Sequence, residues 1–418
     1  LVCFTRFLRV FISPLEIHIS FQQDIHIFIA CAHCFFPLFL VTYYNYKFIN
    51  MFGIVVLSNN LKNGISFAHH AISSRNQLPI LLNFLFVAKD GALYVSATDL
   101  EIGIKIKIPA KVEGEGEVSV SAKTFMDLIS NIDEEKVGLD VKENTLVLHG
   151  NKFKTSFPTL PASDFPKLYE AKGVKQAEFK KEELDNQISK IVFAAATDIG
   201  RPALSGVLMR KTKTGGLNLV ATDGYRLSLT QNLSIKTGEV DLLIPARVIK
   251  EVIGLKQESQ TVNLFTSSES NQVLFECGDA VIVGRLIEAE YPDYQKIIPD
   301  DFSSQVFFDK NEAQSAVRAC SVFAREAANI VKMRIEKNKI IFSASASSVG
   351  ENEVEVDAKT SGEENEIAFN ARYLMEFFSA IEDEDVVFEM TGPLNPGVFK
   401  LEKDKSYLHL IMPIRITD

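Results

Sequence analysis

The sequence predicts an α+β fold in which one domain of about 125 residues occurs three times in tandem. Arginine recurs at intervals of 126 and 124 residues, at Arg75, Arg201 and Arg325. An alanine that opens a helical pattern recurs at intervals of 124 and 125 residues, at Ala122, Ala246 and Ala371. Repeats of roughly 20–50 residues indicate a solenoid, whereas a period of this length is that of a whole domain. We place the three domains at residues 51–170, 171–299 and 300–418.

Each copy has the same predicted order of elements: a strand, a helix, strands around a turn, a second helix and closing hairpins. The first helices are predicted at residues 58–71, 180–195 and 309–324, and the second at 122–132, 246–255 and 371–381. Asp90-Gly91 between two alternating apolar runs is a strong hairpin signal. The closing hairpins are predicted at 137–141 with 145–149, 261–265 with 272–277, and 386–390 with 397–402. Each domain therefore has two helices and about eight antiparallel strands.

Composition narrows the class of protein. Of the 418 residues, 46% are hydrophobic and 23% charged, as in ordinary globular proteins, and each domain is large enough to bury its own core. The net charge of −10 disfavours tight electrostatic binding of nucleic acid, so any DNA contact must come from local cations. After Met51 only Cys277 and Cys320 remain, which indicates no disulfide framework and favours a cytoplasmic protein.

The first 50 residues differ from the rest because they are rich in aromatic residues and poor in charge. We interpret residues 1–50 as a non-native upstream extension from a misplaced start, disordered or apolar, ahead of Met51. A membrane anchor is the alternative, because residues 27–44 approach the length and apolarity of a membrane span.

No motif of nucleotide binding, nucleophilic catalysis or metal binding stands in the three domains. Thr98-Asp99 and Thr222-Asp223 recur at equivalent points. An enzyme would use these carboxylates for catalysis, but an aspartate that follows a strand commonly caps a tight turn. Because the pair repeats with the domain, we favour the structural role. We predict no catalytic site, no metal and no cofactor.

Four segments carry a family resemblance: Thr-Leu-Pro-Ala-Ser-Asp-Phe-Pro at 159–166, Leu-Asn-Leu-Val-Ala-Thr-Asp-Gly-Tyr-Arg-Leu at 217–227, Glu-Tyr-Pro-Asp-Tyr-Gln-Lys-Ile-Ile-Pro at 290–299, and Leu-Ile-Met-Pro-Ile-Arg-Ile at 410–416. In this order, on a three-copy chain, they resemble the bacterial sliding clamps, the DNA polymerase III beta subunit family. The resemblance runs from Met51 to the end of the chain.

The resemblance implies three clamp-type domains per chain and a head-to-tail homodimer that forms a six-domain ring. Such a ring encircles double-stranded DNA without reading its sequence and is a non-catalytic processivity factor. It tethers the replicative polymerase, the clamp loader and repair polymerases through short peptide motifs bound between domains 2 and 3. A ring holds DNA by topology, so the net negative charge is no obstacle.

The resemblance also implies site residues. The loop arginines predicted to contact DNA are Arg75, Arg201 and Arg325, with a structural ion pair as the alternative for each. The candidate DNA-facing cations on the helices are Lys62, Lys123, Lys180, Lys190, Arg247, Lys250, Lys310, Arg318 and Arg372. The predicted partner-peptide pocket comprises Leu204, Thr222, Gly224, Tyr225, Arg226, Leu227, Pro292, Lys296, Ile297, Asn370, Tyr373, Leu410, Met412, Pro413, Ile414, Arg415 and Ile416.

Two features of the predicted pocket depart from the family pattern. Tyr225 stands where the family is expected to have histidine, and Thr417-Asp418 extend past the usual end. For the dimer joint, the resemblance implies apolar contact of Phe157 with Val322 and Phe323, with core burial as the alternative. Two other functions remain open on the sequence: an enzyme that uses the repeated Thr-Asp sites, and a DNA-free scaffold tethered to a membrane through residues 1–50.

Overall fold

A computed structural model describes residues 52–73, 78–169, 171–198, 200–256, 259–267 and 269–415. Within these residues three units follow one another, each with two α-helices and eight strands, which confirms the predicted three-copy α+β fold. The expectations for residues 1–50 lie outside the described residues. No helix in the described part of the chain is long and apolar enough to cross a membrane.

The six helices form three pairs, one pair in each unit. They are α1 Ser58–His69 and α2 Ala122–Ser130, α3 Lys181–Val192 and α4 Ala246–Gly254, and α5 Lys310–Ala324 and α6 Ala371–Ala380. The predicted helices begin within one residue of these bounds and end within three. Helix ends differ in this way because the last turn frays into looser turns.

Eight strands accompany each helix pair. The strands of the first unit are β1 Phe52–Leu57, β2 Asn83–Lys89, β3 Ala92–Thr98, β4 Ile102–Glu113, β5 Gly116–Ser121, β6 Lys136–Lys142, β7 Thr145–His149 and β8 Lys154–Leu160. Those of the second are β9 Val174–Lys180, β10 Gly206–Lys211, β11 Leu217–Thr222, β12 Arg226–Leu233, β13 Asp241–Pro245, β14 Thr261–Ser267, β15 Gln272–Cys277 and β16 Ala280–Arg285. Those of the third are β17 Ser304–Asp309, β18 Ile330–Glu336, β19 Lys339–Ala346, β20 Gly350–Gly362, β21 Asn365–Asn370, β22 Asp385–Met390, β23 Gly397–Leu401 and β24 Tyr407–Ile411.

Local chemistry explains the β2–β3 hairpin. Asp90 and Gly91 have φ of 50° and 68°, which are the left-handed values that a two-residue hairpin turn requires. Aspartate and glycine adopt these values more readily than other residues, so the sequence signal was sufficient to predict this turn.

In each helix pair, a lysine of the first helix donates a hydrogen bond to a backbone carbonyl at the end of the second helix. The pairs are Lys62 to Ile132 at 2.5 Å, Lys181 to Ile253 at 3.4 Å and Lys310 to Ile381 at 3.3 Å. A helix C-terminus carries partial negative charge and unpaired carbonyls, so a cation there is stabilising. These lysines are therefore engaged within their own domains.

Two twelve-stranded sheets run across the junctions between units. Their strand orders are β1-β6-β7-β8-β5-β2-β3-β4-β16-β15-β14-β9 and β13-β10-β11-β12-β24-β23-β22-β17-β20-β19-β18-β21. The first junction pairs β4 with β16 and the second pairs β12 with β24, so both join the fourth strand of one unit to the eighth strand of the next. The registers correspond as well, with Gly103 opposite Val283 and Leu227 opposite Leu410.

A separate apolar cluster lies at the second junction, apart from the main core. We call it the junction cluster, and it consists of Leu208, Val220, Leu227, Leu229, Leu243, Tyr291, Tyr294, Val398, Leu408 and Leu410. Its members come from both domains, so this junction is held by buried apolar contact as well as by strand pairing.

Candidate functional site

A tight turn at the end of β11 is the centre of the predicted pocket. The Thr222 hydroxyl donates to the Arg226 carbonyl at 2.6 Å and accepts from the Gly224 amide at 3.0 Å. One carboxylate oxygen of Asp223 accepts from the amides of Tyr225 and Arg226 at 2.9 and 3.0 Å. The side chains of Thr222 and Asp223 thus hold the backbone of the turn, and Tyr225 lies at the surface with 56% of its area exposed.

The same turn occurs in the first domain. The Thr98 hydroxyl donates to the Ile102 carbonyl at 2.8 Å, and Asp99 accepts from the amides of Glu101 and Ile102 at 3.1 and 2.9 Å. This repetition supports the structural role predicted for the two Thr-Asp pairs, because each carboxylate is occupied by backbone amides of its own turn.

Gly224 has φ of 91°, a left-handed value that costs an L-residue about 1–2 kcal/mol. A Cβ at this position would lie 3.4 Å from Arg201 Nη1. We expect Gly224→Ala to lower the free energy of unfolding by roughly 1–2 kcal/mol in urea denaturation. The equivalent residue of the first domain, Leu100, has φ of 78°, so Leu100→Gly should instead stabilise by roughly 0.5–1 kcal/mol. Equal effects of the two substitutions would contradict this account.

Arg226 is a cation buried under the pocket, with only 4% of its area exposed. Its Nε donates to Asp223 at 3.1 Å and its Nη2 to the Phe193 carbonyl at 2.8 Å. Nη1 lies 2.5 Å from a carboxylate oxygen of Glu376 as an ion pair without hydrogen-bond alignment. The guanidinium lies over the Tyr373 ring, 4.6 Å from its centroid. Arg226 thus ties the turn of domain 2 to helix α6 of domain 3.

Glu376 links two arginines. Its other oxygen accepts from Arg372 Nε at 2.6 Å. Burial alone would raise the pKa of Glu376, but the hydrogen bond from Arg372 and the charges of Arg226 and Arg372 outweigh it and hold the pKa below its usual range. The carboxylate therefore stays charged and keeps Arg226 in place.

The apolar walls come from both domains. Leu227 and Leu410 are fully buried in the floor, whereas Ile297 and Met412 are 42% and 37% exposed at the edges. The chain after β24 is held against the turn, because the Met412 amide donates to the Tyr225 carbonyl at 2.8 Å. The turn and the C-terminal tail are therefore in contact, and Tyr291 and Tyr294 pack with Leu227 and Leu410 in the junction cluster. We call the part of the surface formed by residues 222–227, 292–297 and 410–415 the groove.

Other predicted pocket residues have defined places. Asn370 caps helix α6 by accepting from the Arg372 amide at 2.9 Å, and Lys296 pairs with Asp293 at 3.0 Å. The Ile414 amide donates to the Ala368 carbonyl, which fixes the tail on domain 3. Ile416 lies outside the described residues.

Arg201, which the sequence analysis predicted to contact DNA, lies beside the turn of the predicted pocket. Its guanidinium lies beside Gly224, as does Leu204, whose side chain would be 3.8 Å from a Cβ there. Arg201 stands three residues before Leu204 in the same loop, and both side chains lie beside Gly224. Its closeness in sequence to Leu204, a predicted pocket residue, is the sequence feature that points to this position. Phe193 and Glu376, which hold Arg226, carried no sequence signal for this role.

The prediction that Lys190 faces DNA is wrong. Lys190 is 5% exposed, and its ammonium lies 3.3 Å from Asp404 and 3.9 Å from Asp383. Its carbonyl also accepts from the Tyr407 hydroxyl at 3.1 Å. It is a buried interdomain ion pair between domains 2 and 3, because a lysine can be buried only when it is paired in this way.

The other cations predicted to contact DNA differ in whether residues of the chain already pair with them. Arg247 is exposed but engaged at the first junction, where it contacts Asp99 and donates to the His70 carbonyl at 2.8 Å. In contrast, Lys123, Lys250 and Arg325 are exposed and have no ion-pair partner among the described residues. Lys62 is engaged by helix α2, as described above, and Arg75 lies outside the described residues.

His409 lies fully buried at the second junction. Its ring stacks on Phe377 with centroids 4.9 Å apart, and its Nδ1 shares a hydrogen bond of 2.7 Å with Ser228. Burial, and secondarily the charge of Arg226, lower the pKa of His409 well below its usual value. Its neutral form is therefore the folded form.

This burial predicts a pH dependence. Below the unfolded pKa of about 6.5 only the unfolded chain gains the proton, so stability is lost as pH falls, by up to about 1.4 kcal/mol per pH unit. Urea unfolding at pH 7.5 and 5.5 should show this loss, and His409→Gln should reduce it. An unchanged pH profile in that variant would exclude His409 as the source.

The predicted dimer-joint residues have different surroundings. Phe157 is 4% exposed and packs on Phe125 in the core of domain 1, which supports the alternative of core burial. Phe323 is partly buried against the core of its own domain. Val322, at the end of helix α5, is 61% exposed and remains available for contact.

Among the strands that lack a partner on one side within the described residues are parts of β20 and β8. In β20, residues 350–357 pair with β19 on one side only, and in β8, residues 154–158 pair only with β7. These are the fourth strand of domain 3 and the eighth strand of domain 1. The equivalent strands form both internal junctions.

Comparisons with known proteins cover the three units separately. The family model of the N-terminal domain of the DNA polymerase III beta subunit matches residues 52–169 of this chain. The models of the central and C-terminal domains of that subunit match residues 178–293 and 295–415. The chain is 27% identical to the beta sliding clamp of Synechococcus elongatus over 374 residues, which are 87% of this chain and 99% of that protein. It is 28% identical to the beta sliding clamp of Caulobacter vibrioides over 369 residues, covering 85% and 98%.

Solved structures give the same result. The crystal structure of the DNA polymerase III beta subunit from Thermotoga maritima superimposes with a TM-score of 0.80 at 28% identity, over 88% of this chain and 100% of that one. The DNA polymerase sliding clamp from Bacillus subtilis gives a TM-score of 0.82 at 25% identity, with the same coverage.

Proposed function

The chain belongs to the DNA polymerase III beta subunit family, the sliding clamps, and on that premise we propose that two copies close a ring around duplex DNA. The ring tethers the replicative polymerase and other partners, so that the polymerase stays on its template. We propose that it has no catalytic site of its own and acts in the cytoplasm, where its thiols stay reduced.

The observation that carries this proposal is the repeated junction. Both internal junctions pair the fourth strand of one domain with the eighth strand of the next, and β20 and β8 are the same strands with free edges. The same pairing between β20 of one copy and β8 of a second gives a head-to-tail contact. Such contacts close into a ring when the rotation per domain fits, here with six domains.

The internal registers carry over to this joint. By equivalence with Gly103–Val283 and Leu227–Leu410, Glu351 lies opposite Ser156 of the second copy. Two residues further along β20, Glu353 then lies opposite Lys154, and Glu355 opposite Lys152. The two edges therefore carry opposite charges, which favours this partner and this register.

A ring requires few phosphate contacts. Three of the candidate cations are exposed and have no ion-pair partner among the described residues: Lys123, Lys250 and Arg325. We propose that these three face the DNA. Because affinity rises with the number of phosphates neutralised, a small number leaves the ring free to slide.

The groove at the second junction is the proposed docking site for short peptides of the replicative polymerase, the clamp loader and repair polymerases. Each apolar anchor that it buries contributes about 1.5–3 kcal/mol before ordering costs. Met412 suits a surface that accepts several peptides, because its flexible side chain repacks around each one.

Removal of the Met412 side chain tests the groove. We expect Met412→Ala to weaken binding of a polymerase-derived peptide by roughly 5- to 30-fold, because about 1–2 kcal/mol of apolar contact is lost. Isothermal titration calorimetry measures the affinity, and size-exclusion chromatography should show an unchanged dimer. An unchanged affinity would refute the assignment of this residue.

Retention on circular DNA, compared with linear DNA, tests the proposed ring. Protein loaded on circular DNA by its clamp loader should remain bound through gel filtration and should be lost after the DNA is linearised. Loss of the protein from circular and linearised DNA at the same rate would contradict the proposed ring.

A further inference from the structure

A cavity of about 450 Å³ lies between the segment that joins domains 2 and 3 and the sheet of domain 3. The segment contributes Ile298, Pro299 and Phe302, and the sheet contributes Val398 and Leu408 among others. The volume is within the roughly 300–1,000 Å³ of typical ligand sites. No residue of the groove described above lines this cavity.

The cavity adjoins the groove through the junction cluster. Leu408 and Leu410 alternate on β24, so their side chains share one face of the strand, and both belong to the cluster. Leu410 forms the floor of the groove, whereas Leu408 lines the cavity. Two residues of extended chain span about 7 Å, so a peptide in the groove reaches the cavity with two or three further residues.

The one buried charged residue among those that line the cavity, Glu389, already has hydrogen-bond partners. Glu389 is 8% exposed, and its two carboxylate oxygens accept from Gln305 at 2.8 Å and from Lys400 at 2.6 Å. An apolar side chain that fills the cavity therefore leaves this buried carboxylate paired. The other charged residues of the lining, Asp300, Asp301 and Lys405, are exposed and keep their contact with water. At the rim, Phe302 is 49% exposed and offers an aromatic surface to an incoming side chain.

We propose that this cavity takes one large apolar side chain of a partner peptide, from the residues that flank the part bound in the groove. The proposal rests on the proposed function of the groove and extends its recognition by one anchor. Partners with a bulky apolar residue at this distance bind more tightly than those without it.

A tryptophan probe tests the proposal. The chain contains no tryptophan, so the emission of a peptide indole reports its surroundings alone. The probes are a five-residue peptide with leucine and phenylalanine anchors, and the same peptide extended by Gly-Gly-Trp at its N-terminus or at its C-terminus. With the full chain, one extended peptide should bind roughly tenfold more tightly than the short one, and its emission should shift to the blue.

Two variants assign the gain to the cavity. Phe302→Ala should abolish the tenfold gain and the blue shift while leaving the affinity of the short peptide unchanged. Leu394→Ala is the matched control, because Leu394 is 62% exposed in the same domain but does not line the cavity. It should change none of the three affinities.

Other outcomes overturn the proposal in distinguishable ways. Equal affinities of all three peptides, or a gain that survives Phe302→Ala, contradict the role of the cavity and leave the groove intact. If the short peptide itself does not bind, the groove assignment fails and the cavity proposal falls with it.

Discussion

Replacement of Glu353 and Glu355 by lysine is expected to convert the dimer to monomers. In the register of the internal junctions these residues face Lys154 and Lys152 of the second copy, so the variant places like charges together at both joints. Juxtaposed like charges in an interface cost several kcal/mol, which corresponds to a weakening of the dimer by roughly 100-fold or more. Analytical ultracentrifugation over a range of concentrations measures the change.

The compensating change makes this prediction specific. Lys152→Glu and Lys154→Glu in the same chain as the two lysine substitutions should restore the dimer, because each joint regains opposite charges. Glu336→Lys with Glu366→Lys is the matched control, because it makes the same change of net charge and, like the first variant, removes ion pairs with Arg334 and Lys339. A dimer that persists in the first variant, or that the control disrupts equally, would contradict the proposed register.

Arg226→Ala is expected to lower the free energy of unfolding by about 3–5 kcal/mol, because it leaves Asp223 and Glu376 without their buried partner. The same change removes the support of the Thr222 turn, so binding of a groove peptide should also be lost. Stability falls because two carboxylates lose their partner, and peptide binding falls because the turn loses its support. Both effects arise at the junction of domains 2 and 3.

Arg226→Lys separates charge from geometry. Lysine keeps the positive charge but cannot replace the planar fork that reaches Asp223, Glu376 and the Phe193 carbonyl together. We expect an intermediate loss of stability in urea unfolding and a peptide affinity close to that of the alanine variant. Full activity of the lysine variant would show that charge alone maintains the groove.

Features fixed by local chemistry could be predicted from the sequence. The turn from Thr222 to Arg226 depends on side chains that bond to their own backbone, and the Asp90-Gly91 hairpin depends on residues that adopt left-handed φ. The six helices likewise follow from apolar periodicity and from the repeat. In each case the residues that decide the structure are neighbours in the chain.

Features decided by distant partners could not be predicted. Lys190 and Lys250 are both lysines on helices of domain 2, but Lys190 meets Asp404, which is 214 positions away in the chain. Only the fold reveals that this lysine is buried. Phe157 is similar, because the direction of its side chain depends on how β8 pairs with β7.

Arg201 shows a limit of reasoning from repeats. Its spacing from Arg75 and Arg325 predicted a shared contact with DNA, whereas the structure also places its guanidinium beside Gly224. The repeat preserves the backbone at each junction, but the groove forms where the neighbouring tail and segment complete it. Equivalent positions therefore share a backbone arrangement and differ in the residues around them.

The central claim is that two copies close a ring through β20 and β8, and a covalent lock tests it most directly. Ser156→Cys and Glu351→Cys face each other across the proposed joint, at the Cα separation of paired strands, which suits a disulfide. Cys3, Cys31 and Cys34 are replaced by serine, and the buried Cys277 and Cys320 remain. After loading on circular DNA and oxidation, the locked dimer should stay on the DNA through denaturant and come off only when the DNA is cut. Failure to form the linked dimer, or its release from intact circles, would contradict the account.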